Sequence, residues 1–367
     1  MKFIVNGSEL SNATSKVVKA ISNKTTNPIL EGIKLSVVGE ELTLTATDTE
    51  ITIEKTIPVS TFTEGETVVP GKFFSDFIKK LEKVEDISIS LEDSELKIIY
   101  NDSEFNIATM KAEEFPLINK NIKEKSVTLY QKDFKDLINK TIFACSQTAH
   151  NSSRVDGCFI TIEDDKISAV ATDTGRIAIN KKKIEQASEN FSIIVSPRTL
   201  KEIVSILDKD DELFTIIVQK NVIMCEVEGT VLIASLLEGN YIDYKNIISR
   251  EYKSEMKVKK EEFYIALERA SIVATDYNKI VKFDVTENNV NILAKSEVGK
   301  VNESVQIELN GKDVEIAFFF KYIIEAIKNI DDECVKICFN SSIEPCIIKP
   351  FSGDDYLHLI VPVRKNV

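Results

Sequence analysis

Helical and strand-like patterns alternate along the chain and recur with a period of about 125 residues. Three stretches carry apolar or small residues at positions i, i+3, i+4 and i+7, which is one face of a helix, and they begin at Leu10, Phe134 and Phe263. A second set of helical stretches ends at Leu81, Leu207 and Ile330. We predict six helices, over 8–21, 71–83, 131–144, 196–207, 259–274 and 320–330.

Alternating apolar and polar positions predict strands in the same phase of each period. The clearest are Leu42–Asp48, Ile167–Asp173 and Val290–Ser296, and later strands are Ile87–Leu91, Leu213–Val218 and Cys334–Phe339. The repeated unit is therefore helix, strands, helix, strands. This pattern predicts an α+β fold of three similar domains, over 1–122, 123–249 and 250–367.

Composition supports a chain with three cores in a reducing compartment. The 367 residues are 43% hydrophobic, and no apolar run approaches the ~20 residues of a membrane span. The N-terminus also lacks a signal-peptide pattern, so we expect a cytoplasmic protein. The six cysteines fall in apolar runs, which favours reduced core thiols. Since Cys334 and Cys338 have no second ligand pair, no metal or cofactor is expected.

Charge is distributed unevenly. The chain carries a net −13, whereas the six predicted helices together carry +6, so the remainder carries −19. Basic helices within an acidic protein would suit a surface that faces a polyanion. Lysine is also a good helix former, and charge alone leaves both explanations open.

No catalytic signature stands out in the sequence. The 12 glycines form no dinucleotide, P-loop or hydrolase motif, and the two histidines, His150 and His358, lie in a polar loop and an alternating strand. Asp48 and Asp173 follow Thr at equivalent strand ends, so capping of a turn is a better explanation for them than two active sites. The pattern favours a binding protein over an enzyme.

Several segments, in this order and spacing, resemble those of the bacterial DNA polymerase III beta subunit, the sliding clamp family. They are Thr26–Leu30, Val68–Phe74, Glu114–Pro116, Ala171–Ile177, Ile194–Arg198, Gly239–Tyr244 and Val361–Arg364. The resemblance covers the whole chain. It implies a head-to-tail homodimer that forms a closed ring, with helices lining a hole and antiparallel sheets outside.

The resemblance implies a protein that encircles duplex DNA without reading its sequence and tethers the replicative polymerase as a processivity factor. Diffuse positive charge on the helices would supply the attraction to phosphates. We expect the protein to be associated with the nucleoid. Plain solvation remains the alternative role for each basic candidate. The DNA-binding candidates are Lys24, Lys72, Lys79, Lys80, Lys140, Arg198 and Lys201.

The resemblance also implies a groove that binds short extended peptides of the polymerase III catalytic subunit, the clamp loader and repair proteins. Its residues would be Val155, Thr172, Gly175, Arg176, Ile177, Ile242, Ile247, Tyr322, Leu359, Val361, Pro362, Val363 and Arg364. Its aliphatic members could instead be ordinary core. Ile242 stands where the family usually has proline, which is a departure in the groove itself. At the subunit interface, Phe105 and Ile107 would meet Ile272 and Val273 of the neighbour.

Two other functions stay open. The chain could be a clamp-derived regulatory protein that does not encircle DNA, or an enzyme of unrecognised type on the same scaffold. Salt-sensitive retention on DNA that depends on Lys24, Lys72 and Arg198 would support the clamp. Loss of a reaction on substitution of Asp173 would support the enzyme.

Overall fold

A computed structural model describes residues 1–22, 25–116, 124–146, 157–248, 251–273 and 279–364. The chain divides into two compact units. The first unit comprises Met1–Lys132, Ile184–Glu189 and Arg198–Leu236, and the second unit comprises the rest. The middle repeat therefore contributes residues to both units.

The six predicted helices are present, and the sequence explains how the first of them begins. The Asn6 side chain accepts hydrogen bonds from the backbone N–H groups of Ser8 and Glu9, which caps the first helix. The last turns predicted at 18–20, 79–81 and 142–144 are 3₁₀ rather than α. The helices are α1 (Gly7–Val17), α2 (Gly71–Ile78), α3 (Gln131–Asn139), α4 (Pro197–Ile206), α5 (Lys260–Ser271) and α6 (Phe320–Lys328).

Strands fill most of the remaining described chain. The first repeat contains β1 (Lys2–Val5), β2 (Gly32–Val38), β3 (Glu41–Thr47), β4 (Ile51–Pro58), β5 (Ser60–Thr63), β6 (Gly65–Pro70), β7 (Ile87–Glu92), β8 (Glu95–Tyr100) and β9 (Ser103–Ala108). The second contains β10 (Lys125–Tyr130), β11 (Cys158–Glu163), β12 (Lys166–Thr172), β13 (Arg176–Lys183), β14 (Gln186–Ala187), β15 (Phe191–Val195), β16 (Leu213–Gln219), β17 (Val222–Val227) and β18 (Thr230–Ser235). The third contains β19 (Ser254–Lys259), β20 (Ile280–Val285), β21 (Asn289–Ser296), β22 (Gly299–Gly311), β23 (Val314–Phe319), β24 (Cys334–Phe339), β25 (Cys346–Pro350) and β26 (Tyr356–Ile360).

The predicted strands are confirmed, but a short strand also precedes the first helix of every repeat. In the first repeat this strand is β1, which pairs with both β5 and β7 and buries Phe3 and Val5. A four-residue strand gives too few alternations to be recognised from the sequence alone. Each repeat therefore begins with a strand rather than with a helix.

The first unit contains two sheets whose strand pairs are antiparallel. A five-stranded sheet has the order β5-β1-β7-β8-β9, and a nine-stranded sheet has the order β14-β10-β16-β17-β18-β4-β3-β2-β6. The nine-stranded sheet passes from the second repeat to the first at the β18–β4 pair, where Ala234 lies opposite Ile51.

The second unit is built on one twelve-stranded sheet. Its order is β15-β11-β12-β13-β26-β25-β24-β19-β22-β21-β20-β23. It passes from the second repeat to the third at the β13–β26 pair, where Arg176 lies opposite Ile360. The α+β fold with antiparallel sheets is confirmed.

The two junctions between repeats have the same construction. Aligning the motif Leu42–Asp48 with the motif Ile167–Asp173 places β3 on β12, so that Ile51 corresponds to Arg176. The residues that pair with them at the two junctions, Ala234 and Ile360, then correspond to each other. A lysine near the end of the repeat's first helix also pairs with an aspartate after the next repeat's second helix. Lys16 pairs with Asp208 in the first unit, and Lys140 pairs with Asp331 in the second. The two junctions between repeats therefore use the same strand pairing and an equivalent ion pair.

The turn before each junction strand is also repeated. Asp48 accepts hydrogen bonds from the N–H groups of Glu50 and Ile51, while the Thr47 hydroxyl donates to the Ile51 carbonyl. Two equivalent bonds hold the turn at Asp173, which accepts from the Gly175 N–H group, while the Thr172 hydroxyl donates to the Arg176 carbonyl. The prediction that these aspartates cap turns is confirmed.

Among the described residues, no helix is both long and apolar enough to span a membrane.

The six cysteines are free, and five of them are buried. Burial raises the pKa of the Cys225 thiol to about 12, so this thiol stays protonated.

Candidate functional site

Arg176 lies at the centre of the candidate groove, in the second unit, and is almost fully buried, with 3% of its surface exposed. Its Nε donates to Asp173 at 3.0 Å, one terminal nitrogen donates to Glu325, and the other donates to the Phe143 carbonyl at 2.8 Å. A buried guanidinium needs such partners. Arg176 therefore fixes the floor of the groove and is not a free donor for a peptide.

Two aromatic rings enclose this guanidinium. The Phe143 and Tyr322 ring centroids lie 5.3 and 4.4 Å from Cζ of Arg176. The Tyr322 ring covers Gly175, where a Cβ would lie only 2.8 Å from it. Burial and the nearby Asp173 carboxylate raise the pKa of Tyr322. Glycine at 175 is thus required for the close approach of this ring.

The predicted tail is held against the same floor. The Val361 N–H donates to the Gly175 carbonyl at 2.9 Å, and the Val363 N–H donates to the Ala317 carbonyl at 2.8 Å. Pro362 is buried, whereas Val361 is 39% exposed and Arg364 is exposed. The tail therefore forms one wall, with alternate side chains inward and outward.

Aliphatic side chains lie on the opposite face of the sheet from the Arg176 side chain. Ile177 lies opposite Leu359 in the sheet, and both are buried in a cluster against which Ile242 packs. Ile247, by contrast, is 47% exposed. The explanation as ordinary core thus fits Ile177 and Leu359, while Ile247 offers open apolar surface.

The segment that departs from the family pattern is firmly anchored. Tyr241 donates its hydroxyl to the Val170 carbonyl at 3.1 Å and stacks on Phe159 at 5.0 Å. The Tyr244 N–H donates to the Ile242 carbonyl at 2.9 Å. Isoleucine at 242 is therefore compatible with an ordered, tightly turned segment.

The structure thus brings Thr172, Gly175, Tyr322 and Val361 to the Arg176 turn. Ile177, Leu359 and Ile242 form a separate cluster, and Val155 lies outside the described residues. The sequence did not identify Phe143 and Glu325 as part of the site. An acid recurs five residues before the end of each second helix, at Asp76, Glu202 and Glu325, and this was the available signal. Only the fold reveals that Glu325 binds Arg176.

His358 lies beneath the site, fully buried, with Tyr356 bonded to its Nε2 and the Phe143 ring 5.5 Å away. Burial, and secondarily the Arg176 charge, lowers the pKa of His358 from 6.5 to about 3. The unfolded chain therefore binds a proton below pH 6.5 that the folded chain excludes. Stability is fully present above pH 6.5 and falls as the pH drops towards 3.

We expect the free energy of unfolding to fall by about 2 kcal/mol between pH 7 and pH 5 because of His358. Urea unfolding followed by circular dichroism at both pH values measures this. The variant His358→Leu, which places at this position the residue found at the equivalent Leu232, should lose that difference. An unchanged pH dependence in the variant would contradict the assignment.

The basic candidates of the first unit differ in availability. Arg198 binds Asp48, and its side chain is 43% exposed. Lys72, Lys79, Lys80 and Lys201 are exposed on or beside α2 and α4. Lys24 lies outside the described residues. The exposed set retains cationic surface that can attract an anion.

Lys140, in the second unit, is occupied by ion pairs. It contacts Asp136 at 2.8 Å and also Asp331, and its side chain is only 16% exposed. Burial would lower the pKa of Lys140, but the bonds from both carboxylates outweigh this and raise it. We therefore expect Lys140 to contribute less to DNA attraction than Lys201.

The interface candidates lie at different depths. Phe105 is half-buried and stacks on Phe77 at 4.0 Å, while Ile107 is only 5% exposed within the first unit. Ile272 is 80% exposed, and Val273 is half-buried. Phe105 and Ile272 therefore offer the accessible apolar surface.

Comparisons with known proteins agree along the chain. Family models match in sequence order: the DNA polymerase III beta subunit N-terminal domain over residues 1–119, the central domain over 128–243 and the C-terminal domain over 245–364. The beta sliding clamps of Staphylococcus epidermidis and Staphylococcus aureus are 33% and 32% identical, over 99% of this chain and 99% of theirs.

Solved structures give the same result. The DNA polymerase sliding clamp of Bacillus subtilis is 28% identical, with a TM-score of 0.95 over 100% of this chain and 99% of its own. A DNA polymerase III beta subunit structure from Eubacterium rectale is 29% identical, with a TM-score of 0.95 over 100% of both chains. The three-repeat clamp fold is thereby confirmed, and the chain belongs to the DNA polymerase III beta subunit family, the bacterial sliding clamps.

Proposed function

We propose that two copies of this chain associate head to tail into a closed ring that encircles duplex DNA and tethers the replicative polymerase. The observation that carries this proposal is the twice-repeated junction between repeats. Three repeats joined by two equivalent junctions leave one junction surface without a partner at each end of the chain. A second copy of the chain can pair with both surfaces. The protein acts as an accessory factor in the cytoplasm, at the nucleoid.

The domain boundaries 1–122, 123–249 and 250–367 form part of this proposal. They are supported by the three successive family matches, which end near the same positions. The middle domain places strands in both compact units, which is consistent with a domain that joins a neighbour on each side.

A topological test addresses the ring directly. The protein is placed by a clamp loader on nicked circular DNA, and the circle is then linearised. A ring that holds DNA only by enclosing it should slide off the free ends, while a circle that stays closed should retain it. Persistence on linear DNA equal to that on the circle would exclude the topological mechanism.

The DNA surface is supported by the exposed basic residues of α2 and α4. Replacing Lys72, Arg198 and Lys201 together by glutamine should weaken binding to DNA at least about tenfold and lower the slope of log affinity against log salt by about 2 to 3. Fluorescence anisotropy with duplex DNA over a salt series measures both quantities.

The matched control removes the same charge from elsewhere. Lys111, Lys253 and Lys312 are exposed and lie outside the helices. Their replacement by glutamine should leave the salt slope unchanged. An equal loss of DNA affinity in both triple variants would show that net charge alone causes the loss. It would contradict a DNA-binding surface on the helices.

The groove around Arg176 is proposed to dock short peptides of the polymerase III catalytic subunit, the clamp loader and repair proteins. Its rigid floor, the apolar side chains of Val361 and Ile247, and the exposed Arg364 suit an extended peptide with aliphatic side chains. Aliphatic burial contributes about 25 cal/mol per Å² of apolar surface removed from water.

A further inference from the structure

Two strand edges at opposite ends of the chain are available for pairing. In the first unit, β9 is the last strand of its sheet and pairs with β8 alone. In the second unit, residues 299–306 of β22 pair with β21, while only residues 307–311 pair with β19 on the other side. Among the described residues, each of these edges therefore has one unsatisfied side.

The internal repeat gives a register for joining these edges. Gly299 occupies in the third repeat the position that Ile51 and Arg176 occupy in the first and second repeats, because β21 and β22 pair as β3 and β4 do. Ile107 occupies in the first repeat the position of Ala234 in the second repeat and Ile360 in the third. The same register places Val301 opposite Phe105 of the partner subunit. Both side chains are half-buried, whereas their counterparts Ile53 and Leu232 are fully buried in the first unit. Val301 and Phe105 thus expose apolar surface that pairing between two subunits would bury.

Charged residues follow the same correspondence. In the third repeat, Arg269 stands at the helix position of Lys16 and Lys140. In the first repeat, Glu82 stands at the position of Asp208 and Asp331. The sign of each charge is conserved between the repeats. A junction between the third and first repeats would therefore bring an arginine to a glutamate.

Lys140 sets the pattern for such a cluster, because it lies between two carboxylates, Asp136 and Asp331. Arg269 has only one carboxylate partner within the described chain, Glu303, which accepts from Nε at 3.0 Å and from one terminal nitrogen. The guanidinium has five N–H donors, so it has donors to spare. Glu82 is exposed and makes no ion pair among the described residues.

We propose that Glu82 of each subunit binds Arg269 of the partner subunit and completes a carboxylate–arginine–carboxylate cluster with the partner's Glu303 at the ring closure. The proposal rests on the head-to-tail dimer. In that dimer each of the two closures contains one such cluster. Breaking the ring into monomers therefore breaks two of them.

A double-mutant cycle tests the pair. Glu82→Gln and Arg269→Gln should each raise the dimer dissociation constant about tenfold, and the double variant should also raise it only about tenfold, since the second change removes nothing further. Sedimentation velocity over a dilution series measures the constants. Glu85→Gln, which changes an exposed carboxylate three residues away, should leave the constant unchanged.

The possible outcomes separate the pair from the ring. Single effects that multiply to about a hundredfold in the double variant, or no effect of either change, would overturn the Glu82–Arg269 pair while the dimer stands. A wild-type chain that remains monomeric at every concentration would overturn the dimer as well. Circular dichroism on each variant shows that the fold is retained.

Discussion

Replacing Arg176 by alanine should destabilise the second unit by about 3–5 kcal/mol, which is the largest effect we expect from a single substitution. The change leaves the Asp173 and Glu325 carboxylates without the cation between them. It also removes the donor to the Phe143 carbonyl and opens a space between Phe143 and Tyr322. Urea unfolding followed by circular dichroism measures the loss.

Arg198→Ala is the matched control. Arg198 also binds the capping aspartate of the same repeated turn, but its side chain is 43% exposed, and Asp48 keeps the hydrogen bonds from the Glu50 and Ile51 N–H groups when Arg198 is removed. We expect a loss of about 1 kcal/mol or less. Equal losses for the two variants would contradict the claim that burial of Arg176, rather than its ion pair as such, determines its contribution.

Truncation of the chain after Ile360 should reduce binding of a peptide from the cognate polymerase III catalytic subunit by roughly 30- to 1,000-fold. It removes the exposed Val361 and Arg364, and it removes the two backbone bonds that hold the tail against Gly175 and Ala317. Fluorescence anisotropy with a labelled peptide measures the affinity.

A second truncation, after Arg364, serves as the control. It removes only residues 365–367 and should bind the peptide as the full chain does. Both truncated chains should remain dimeric in sedimentation, since the proposed ring closure lies elsewhere. Unaltered peptide affinity after truncation at Ile360 would refute the location of the groove.

The periodic elements of the fold could be predicted from the sequence because they depend on local spacing. The stripe that begins at Phe263 produced α5, which buries one apolar face, and the run Ile167–Asp173 produced β12, which is buried on both faces. Local chemistry also predicted the turns at Asp48 and Asp173, whose side chains bond backbone groups two or three residues ahead.

Interactions between distant residues could not be predicted in the same way. Arg176 and Lys140 both read as basic residues at candidate binding positions. The structure places a carboxylate from α6 against Arg176, 149 residues away, and places Asp331 against Lys140, 191 residues away. Whether a cation is available to a ligand depends on such partners, and no local pattern encodes them.

The sequence by itself determined the repeat, the α+β class, the helix and strand positions and the family. These follow from side-chain spacing, turn chemistry and ordered motifs, all of which act over short stretches. Only the tertiary structure decided which candidates are buried and paired, which remain exposed, and which strand edges are unpaired. Those properties arise from the desolvation and pairing of groups that are far apart in the chain, and they exist only once the sheets have formed.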